Sequence, residues 1–250
     1  MEPVPAIFDR ALRRLRRDRA AAGWPDHAFV RDWMLDGIAD RLASVTRGFE
    51  TVLDLGCADA HFAVPGATIT RCDAGAVFAR AGVQADEDRL PFAPASFDLI
   101  VSAGVLDTVD DLPGALVQIR RALRPDGLFV GAFAGAGSLP RLRAAFRAAE
   151  PGAARAHPQV DVRAAGDLLL RAGFALPVAD TEGLSVRYAG LLPLIADLRG
   201  MAATSVLASR APLTRATLAA ASAAFADQAD ADGRVTEQFE AVSVTGWAPA

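Results

Sequence analysis

The chain contains no lysine and no asparagine, so all 26 of its basic side chains are arginines. That excludes a Schiff-base lysine, a phosphate-loop lysine and an asparagine amide from any mechanism. Its two cysteines, Cys57 and Cys72, cannot build a disulfide framework or a cysteine-rich zinc site. The three histidines, His27, His61 and His157, show no metal-ligand spacing, so no metal is expected. No apolar run is long enough to span a membrane and no secretory signal opens the chain, which predicts a soluble protein without stable membrane insertion. Arginines are outnumbered by the 30 acidic residues and the net charge is −4. A nucleic-acid partner gripped through its phosphates is therefore not expected.

What remains is a chain of 250 residues that is 52% hydrophobic, enough for one large α/β domain. Its opening, "IFDRALRRLRRDRAAAG", places Ile7, Phe8, Ala11, Leu12 and Leu15 on one helical face and arginines on the other. Asp9 and Asp18 argue against a transit peptide, and the pattern predicts a helix folded over the domain. A second helix is expected from about Arg31 to Val45, making residues 1–46 an N-terminal helical cover.

From residue 51 the pattern alternates. Strand Thr51–Leu55 ends in a turn at Gly56 that is expected to pass into a helix. "ATITRCD" is a strand ending at Asp73, followed by a helix from about Ala74 to Ala81. "GVQAD" is a short strand ending at Asp86, and "SFDLIVSAG" is continuously apolar, as burial on both faces of a parallel sheet requires. The next helix is capped by Asp111, carries Leu112, Ala115, Leu116, Ile119 and Leu123 as its buried stripe, and is ended by Pro125 and Gly127. "LFVGAF" is the fifth strand. Strands alternating with helices over residues 51–133 predict a doubly wound, mostly parallel sheet, Rossmann-like in plan. Two further helices follow, the second closed by Gly173. "FALPVAD" and "GLSVRY" are expected as strands near the sheet edge. Residues 47–188 would form the core, 189–234 a helical insertion over the site, and 235–250 the final strand.

Ligands of open α/β sheets bind beyond the carboxyl ends of the strands, near the point where strand order reverses. Three successive strand ends here carry Asp54, Asp73 and Asp86. Asp73 can accept from the two hydroxyls of a ribose, and Asp86 from an exocyclic amine such as that of adenine. Gly56 lets backbone approach a ligand without a Cβ in the way. The first loop, "TVLDLGCADAHFA", has no lysine or serine–threonine phosphate motif, and a pyrophosphate would want glycines where Ala58 and Ala60 stand. An adenosine without phosphate fits, and S-adenosylmethionine is such a ligand. Cys57 and Cys72 read as small core side chains, and His61 as structural or surface.

The stretches "VLDLGCADAHF", "RCD", "ADEDRLPFAPASFDLIVSAGVLDTVDDLPGAL" and "RALRPDGLFVGAF" resemble the class I S-adenosylmethionine-dependent methyltransferases. The block "ADEDRLPF…SFDLIVS" with "LRPDG" is similar to the branch holding the malonyl-acyl-carrier-protein methyltransferase of biotin synthesis. "IFDRALRRLRRDRAA", "GDLLLRAGF", "VRYAGLLPLIADLRGMAATS" and "GWAP" resemble the branch of the complex I assembly factor associated with hydroxylating an arginine. The resemblance implies a seven-stranded sheet and S-adenosylmethionine held by Asp54, Gly56, Cys57, Ala58, Asp73, Ala74, Asp86, Glu87 and Ser102. It also implies a protein substrate, a complex I subunit among the candidates, in the bacterial cytoplasm or, alternatively, the mitochondrial matrix. Asp107 and Thr108 stand where relatives usually show a histidine and an aromatic. A methyl at Ala58 or Ala60 would be expected either to crowd the cofactor's methionine end or to be tolerated if backbone contact lies at Gly56 and Cys57.

Methyl transfer is an in-line displacement that asks the protein for alignment and exclusion of water. Asp107, just after the fourth strand, is the candidate base; it can equally be a turn carboxylate. An arginine acceptor would want carboxylates and an aromatic face, which Asp107, Asp110 and Asp111, with Trp33 and Tyr188, are expected to supply. Two other readings stay open: a malonyl-acyl-carrier-protein or small-molecule methyltransferase, and a non-catalytic assembly protein with a degenerate cofactor site. Nothing in the sequence sets the oligomeric state.

Overall fold

The computed structural model describes residues 6–250. Seven strands form one sheet: β1 (Thr51–Leu55), β2 (Thr68–Asp73), β3 (Val83–Gln84), β4 (Phe97–Ala103), β5 (Leu123–Ala134), β6 (Ala175–Tyr188) and β7 (Val235–Trp247). Their spatial order is β3-β2-β1-β4-β5-β7-β6. The first five run parallel, and β7 is antiparallel to both β5 and β6. Strand order therefore reverses between β1 and β4, whose carboxyl ends open the crevice in which such sheets bind ligands.

Helices cover both faces. α2 (Phe29–Ala43) lays Met34, Leu35 and Ile38 on Val52, Leu99, Val101 and Val130 of one face. On the other, α3 (Leu112–Ala122) and α5 (Val162–Ala172) pack Leu116, Ile119 and Leu169 against Leu53, Ile100 and Phe129. Asp111 caps α3 by accepting from the Gly114 N–H at 2.9 Å, and Gly173 closes α5 at φ +85°. A third apolar cluster joins α4 (Pro140–Ala149), α6 (Leu191–Gly200) and α7 (Arg215–Ala226) to the near ends of β6 and β7. Among the described residues, no helix is long and apolar enough to cross a membrane.

Several local expectations differ from the structure. β3 ends at Gln84, two residues short of Asp86, and Leu123 opens β5, so the helix capped by Asp111 ends at Ala122 and Pro125 and Gly127 lie in the strand. No helix follows Gly56: residues 57–67 run to β2 as loop, with a turn at Pro65–Gly66. The segment holds a breaker pair and too few residues for a packed helix, and α2, which precedes β1, already covers that face. Residues 74–81 contain only one 3₁₀ turn, Phe78–Ala81. "FALPVAD" and "GLSVRY" are one strand, β6, with a register shift between Ala175 and Val178. Pro177 falls in that irregular stretch of an edge strand, where a missing N–H leaves no ladder position empty.

The largest departure concerns α1 (Arg10–Ala20). An amphipathic cover would turn Leu15 and Ala11 inward. Instead Arg13 and Arg17 are buried, Leu15 is exposed, and Ile7 just before the helix is exposed as well. Phe8 alone of the apolar set is fully packed, against Val206 and Leu207. The helix buries its arginines because it lies over the acidic strand ends.

Candidate active site

Arg10, Arg13, Arg14 and Arg17 fall three and four residues apart, on one face of α1. Each meets a carboxylate beyond the carboxyl ends of β2 and β3. Arg17 donates to both oxygens of Asp73, with Nε to Oδ1 at 2.6 Å. Arg13 is bidentate on Glu87 at 2.8 Å on each arm and donates through Nε to the Thr108 hydroxyl at 2.9 Å. Arg14 grips Asp86 at 2.5 and 3.2 Å, while Arg10 is forked on Asp88.

Asp73 is fully buried and also accepts from the backbone N–H groups of Gly75, at 2.8 Å, and Ala58, at 3.2 Å. Burial would raise its carboxyl; Arg17 and those two N–H groups outweigh burial and hold it below the ordinary value. Asp86 shows the same balance, with Arg14 as the principal counter-charge. At the switch point Arg31 reaches Asp54 at 3.3 Å and Asp59 at 3.2 Å. Burial nonetheless pushes Asp54 up to about 6.

The first loop is tied to the end of β2, since the N–H groups of Gly56 and Cys57 donate to the Cys72 carbonyl at 2.7 and 3.2 Å. Gly56 has φ +79°, and a Cβ there would stand 2.5 Å from Val105 Cγ2. Ala58 also has positive φ, +49°, and joins Trp24, Ala28 and Phe78 in a small apolar cluster. Ala60 is exposed. Ala58 thus holds a backbone conformation that favours glycine while its methyl packs in that cluster, and Ala60 faces solvent. Cys57 is buried and its thiol is pushed up to about 12, as befits a packing residue. His61 is exposed.

Beside these strand ends lies a cavity of about 820 Å³, walled by α1, α2, the ends of β4 and β5, α4, and the segments around residues 155 and 205. Asp107 stands on its wall, partly buried, next to Gly104 at the end of β4. Burial raises its carboxyl to about 6.

Residues 53–131 match the family described as Methyltransferase domain. The arginine-hydroxylase NDUFAF5, mitochondrial, of Danio rerio is 33% identical over 97% of this chain and 83% of its own length. The malonyl-[acyl-carrier protein] O-methyltransferase of Laribacter hongkongensis is 30% identical over 97% of this chain and 90% of its own. The chain belongs to the class I S-adenosylmethionine-dependent methyltransferases. In fold, this methyltransferase matches Burkholderia thailandensis 1,6-didemethyltoxoflavin-N1-methyltransferase, solved with bound S-adenosylhomocysteine, at a TM-score of 0.52 and 18% identity over 100% of this chain and 93% of the other. Its cofactor is S-adenosylmethionine.

The residues present fit that cofactor. The buried Oδ2 of Asp54, the buried hydroxyl of Ser102 and the Nε of Arg31 have no hydrogen-bond partner among the described residues. A carboxylate, a hydroxyl and a guanidinium at the switch point are the donors and acceptors that an amino acid's ammonium and carboxylate require. Asp73 and Asp86 offer the acceptors for a ribose diol and an adenine amine, but both are engaged by α1. A nucleoside held there would draw on the oxygens that Arg17 and Arg14 occupy.

The expected arginine-acceptor wall is not assembled. Asp110 accepts from the N–H groups of Ile7 and Phe8, both at 2.8 Å, and fixes the approach to α1. Trp33 packs against the cluster beneath α2. Tyr188 is buried among α4, α6 and α7. None of the three lines the cavity, because helix periodicity and strand register turn them into apolar clusters or toward the chain's opening. The α1 arginines and Arg31 went unrecognised in the sequence; their one signal was the three- and four-residue spacing of Arg10, Arg13, Arg14 and Arg17.

Proposed function

We propose that this methyltransferase acts on a protein-borne acceptor and serves the assembly of respiratory complex I. The observation that carries the reading is the cavity beside the carboxyl end of β4, with Asp107 on its wall. It is large enough to take a whole side chain or a carrier arm next to the cofactor crevice. The similarity to the arginine-hydroxylase across nearly the full chain, α6 and α7 included, supports a shared process.

We assign the nucleoside to Asp73 and Asp86, with Ala74 and Glu87 beside them, and the methionine portion to Asp54, Gly56, Cys57, Ala58, Ser102 and Arg31. When bound, S-adenosylmethionine supplies an electrophilic methyl group on a sulfonium. Release of Asp73 by Arg17 opens both carboxylate oxygens to a diol. Asp107 takes the proton of an acceptor that arrives protonated. With its carboxyl at about 6 it is mostly ionised at pH 7 and a stronger base than an exposed carboxylate. Gly104, at φ +76°, leaves that wall without a side chain. The compartment proposed is the bacterial cytoplasm, where the two buried free cysteines would stay reduced.

Deleting the gene in the organism that encodes it tests the proposal. Assembled complex I should fall, and the native chain should restore it where the Asp73→Asn chain does not. Unchanged complex I in the deletion would overturn it.

A further inference from the structure

Seven arginines line the cavity against three carboxylates, Asp9, Asp107 and Glu240. Four of the seven are committed. Arg17 is held by Asp73, Arg31 by Asp54 and Asp59, Arg155 by Glu150, and Arg210 by Asp9 at 3.4 Å. Arg16, Arg143 and Arg199 have no carboxylate partner among the described residues. Arg16 donates to the Thr204 hydroxyl. Arg143 donates to the carbonyls of Ser138, at 3.0 Å, and His157, at 3.1 Å, and to the Gln159 side chain. All of these partners are neutral.

Between these guanidinium groups sits His157. Its Nε2 accepts from the Val206 N–H at 2.8 Å, and its ring packs edge-on against Phe8 with centroids 5.3 Å apart. The ring is thus neutral at Nε2. Burial, then Arg16 and Arg143, push it down to about 4. Arg16 is lowered by burial and then by Arg210, Arg19 and Arg199; Arg143 is lowered by burial and then by Arg147, with the buried Glu237 opposing them. Arg16 from α1 and Arg143 from α4, both half-buried, thus face the cavity on either side of His157, with Arg199 exposed beyond them; the buried Glu237 acts on Arg143, but no carboxylate forms an ion pair with Arg16 or Arg143 among the described residues. A guanidinium taken out of water and left on neutral partners is stabilised by an anion with oxygens to fork.

We propose that this wall, between Arg16 and Arg143 beside His157, is a binding site for a carboxylate or phosphate group carried by the acceptor. The inference deepens the reading of the cavity as the acceptor site and rests on it. A guanidinium acceptor would instead add an eighth positive group to the same wall.

The test is calorimetric titration of the full chain, without S-adenosylmethionine, using inorganic phosphate in one series and malonate in the other. Saturable binding of either is expected, and Arg143→Gln or Arg16→Gln should weaken it roughly tenfold, the loss expected for one charge-assisted hydrogen-bonded pair. Phosphate alone would mark a phosphate-bearing acceptor, malonate alone a carboxylate-bearing one. S-adenosylmethionine affinity should be unchanged in both variants, so loss of cofactor binding would count against the methyltransferase site and not against this one. If a variant fails to fold, NMR titration of His157 in the native chain serves: a bound anion should raise its pKa, offsetting Arg16 and Arg143. Absence of saturable binding by both anions, or binding indifferent to both substitutions, overturns the proposal.

Discussion

Arg17 of the first helix and Asp73 at the end of β2 form a buried ion pair across 56 residues of sequence, with Nε to Oδ1 at 2.6 Å. The same two oxygens are those proposed above to take a ribose diol. Under that proposal the first helix competes with the nucleoside for Asp73. Arg17 also lies over the ring of Phe78, 5.1 Å from its centroid, so the guanidinium is held by charge and by an aromatic face at once.

Replacing Arg17 should therefore move stability and affinity in opposite directions. Arg17→Gln leaves a buried carboxylate without its counter-charge, which costs about 3–5 kcal/mol in comparable pairs. The melting temperature should fall, while S-adenosylmethionine binds roughly tenfold tighter because no guanidinium must first be displaced. Melting curves and calorimetry on the same preparation read both. Weaker binding in the variant would show that Arg17 assists the cofactor.

Asp107 gives a pH signature. Its folded-state carboxyl lies at about 6, above the unfolded value of 3.8, so the folded chain holds the proton more tightly. That favours folding at low pH, and the advantage is lost as pH rises through about 6. Asp107→Asn should then be more stable than the native chain at pH 8, by on the order of 1–3 kcal/mol, with the gap closing toward pH 4. If Asp107 is the base, native methyl transfer should rise with pH through about 6 and the variant should lose that limb. Chemical denaturation across pH and initial rates check the two halves separately.

The loop alanines make opposite predictions from Gly56. Ala58 pays for its left-handed backbone, about 1–2 kcal/mol, but its methyl is packed with Trp24 and Phe78. Ala58→Gly should change stability by less than about 1 kcal/mol and S-adenosylmethionine affinity by less than about threefold. A large gain in affinity would mean that the methyl crowds the ligand. Gly56→Ala should instead destabilise by about 2 kcal/mol or more, since its Cβ meets Val105 at 2.5 Å on a left-handed backbone.

The sheet was legible because its strands are short apolar runs between turn signals, and α3 because Asp111 and the Leu112–Ile119 stripe announce it. The β6 edge was harder: "FALPVAD" and "GLSVRY" read as two strands separated by Thr181 and Glu182, yet the ladder to β7 runs through both residues. The Asp54, Asp73 and Asp86 row was legible because each lies at or within two residues of the carboxyl end of its strand. The orientation of α1 could not. Hydrophobic periodicity favours burying Leu15, and only the fold reveals that the surface beneath is lined by Asp73, Asp86, Glu87 and Asp88. The arginines of the cavity wall come from segments more than 100 residues apart, so no local pattern could gather them.

The most direct measurement is calorimetric titration of the chain with S-adenosylmethionine, native beside Asp73→Asn. The account predicts saturable binding by the native chain that is lost in the variant, with native affinity rising once Arg17 is also replaced. No binding by the native chain, or equal binding by Asp73→Asn, would contradict it.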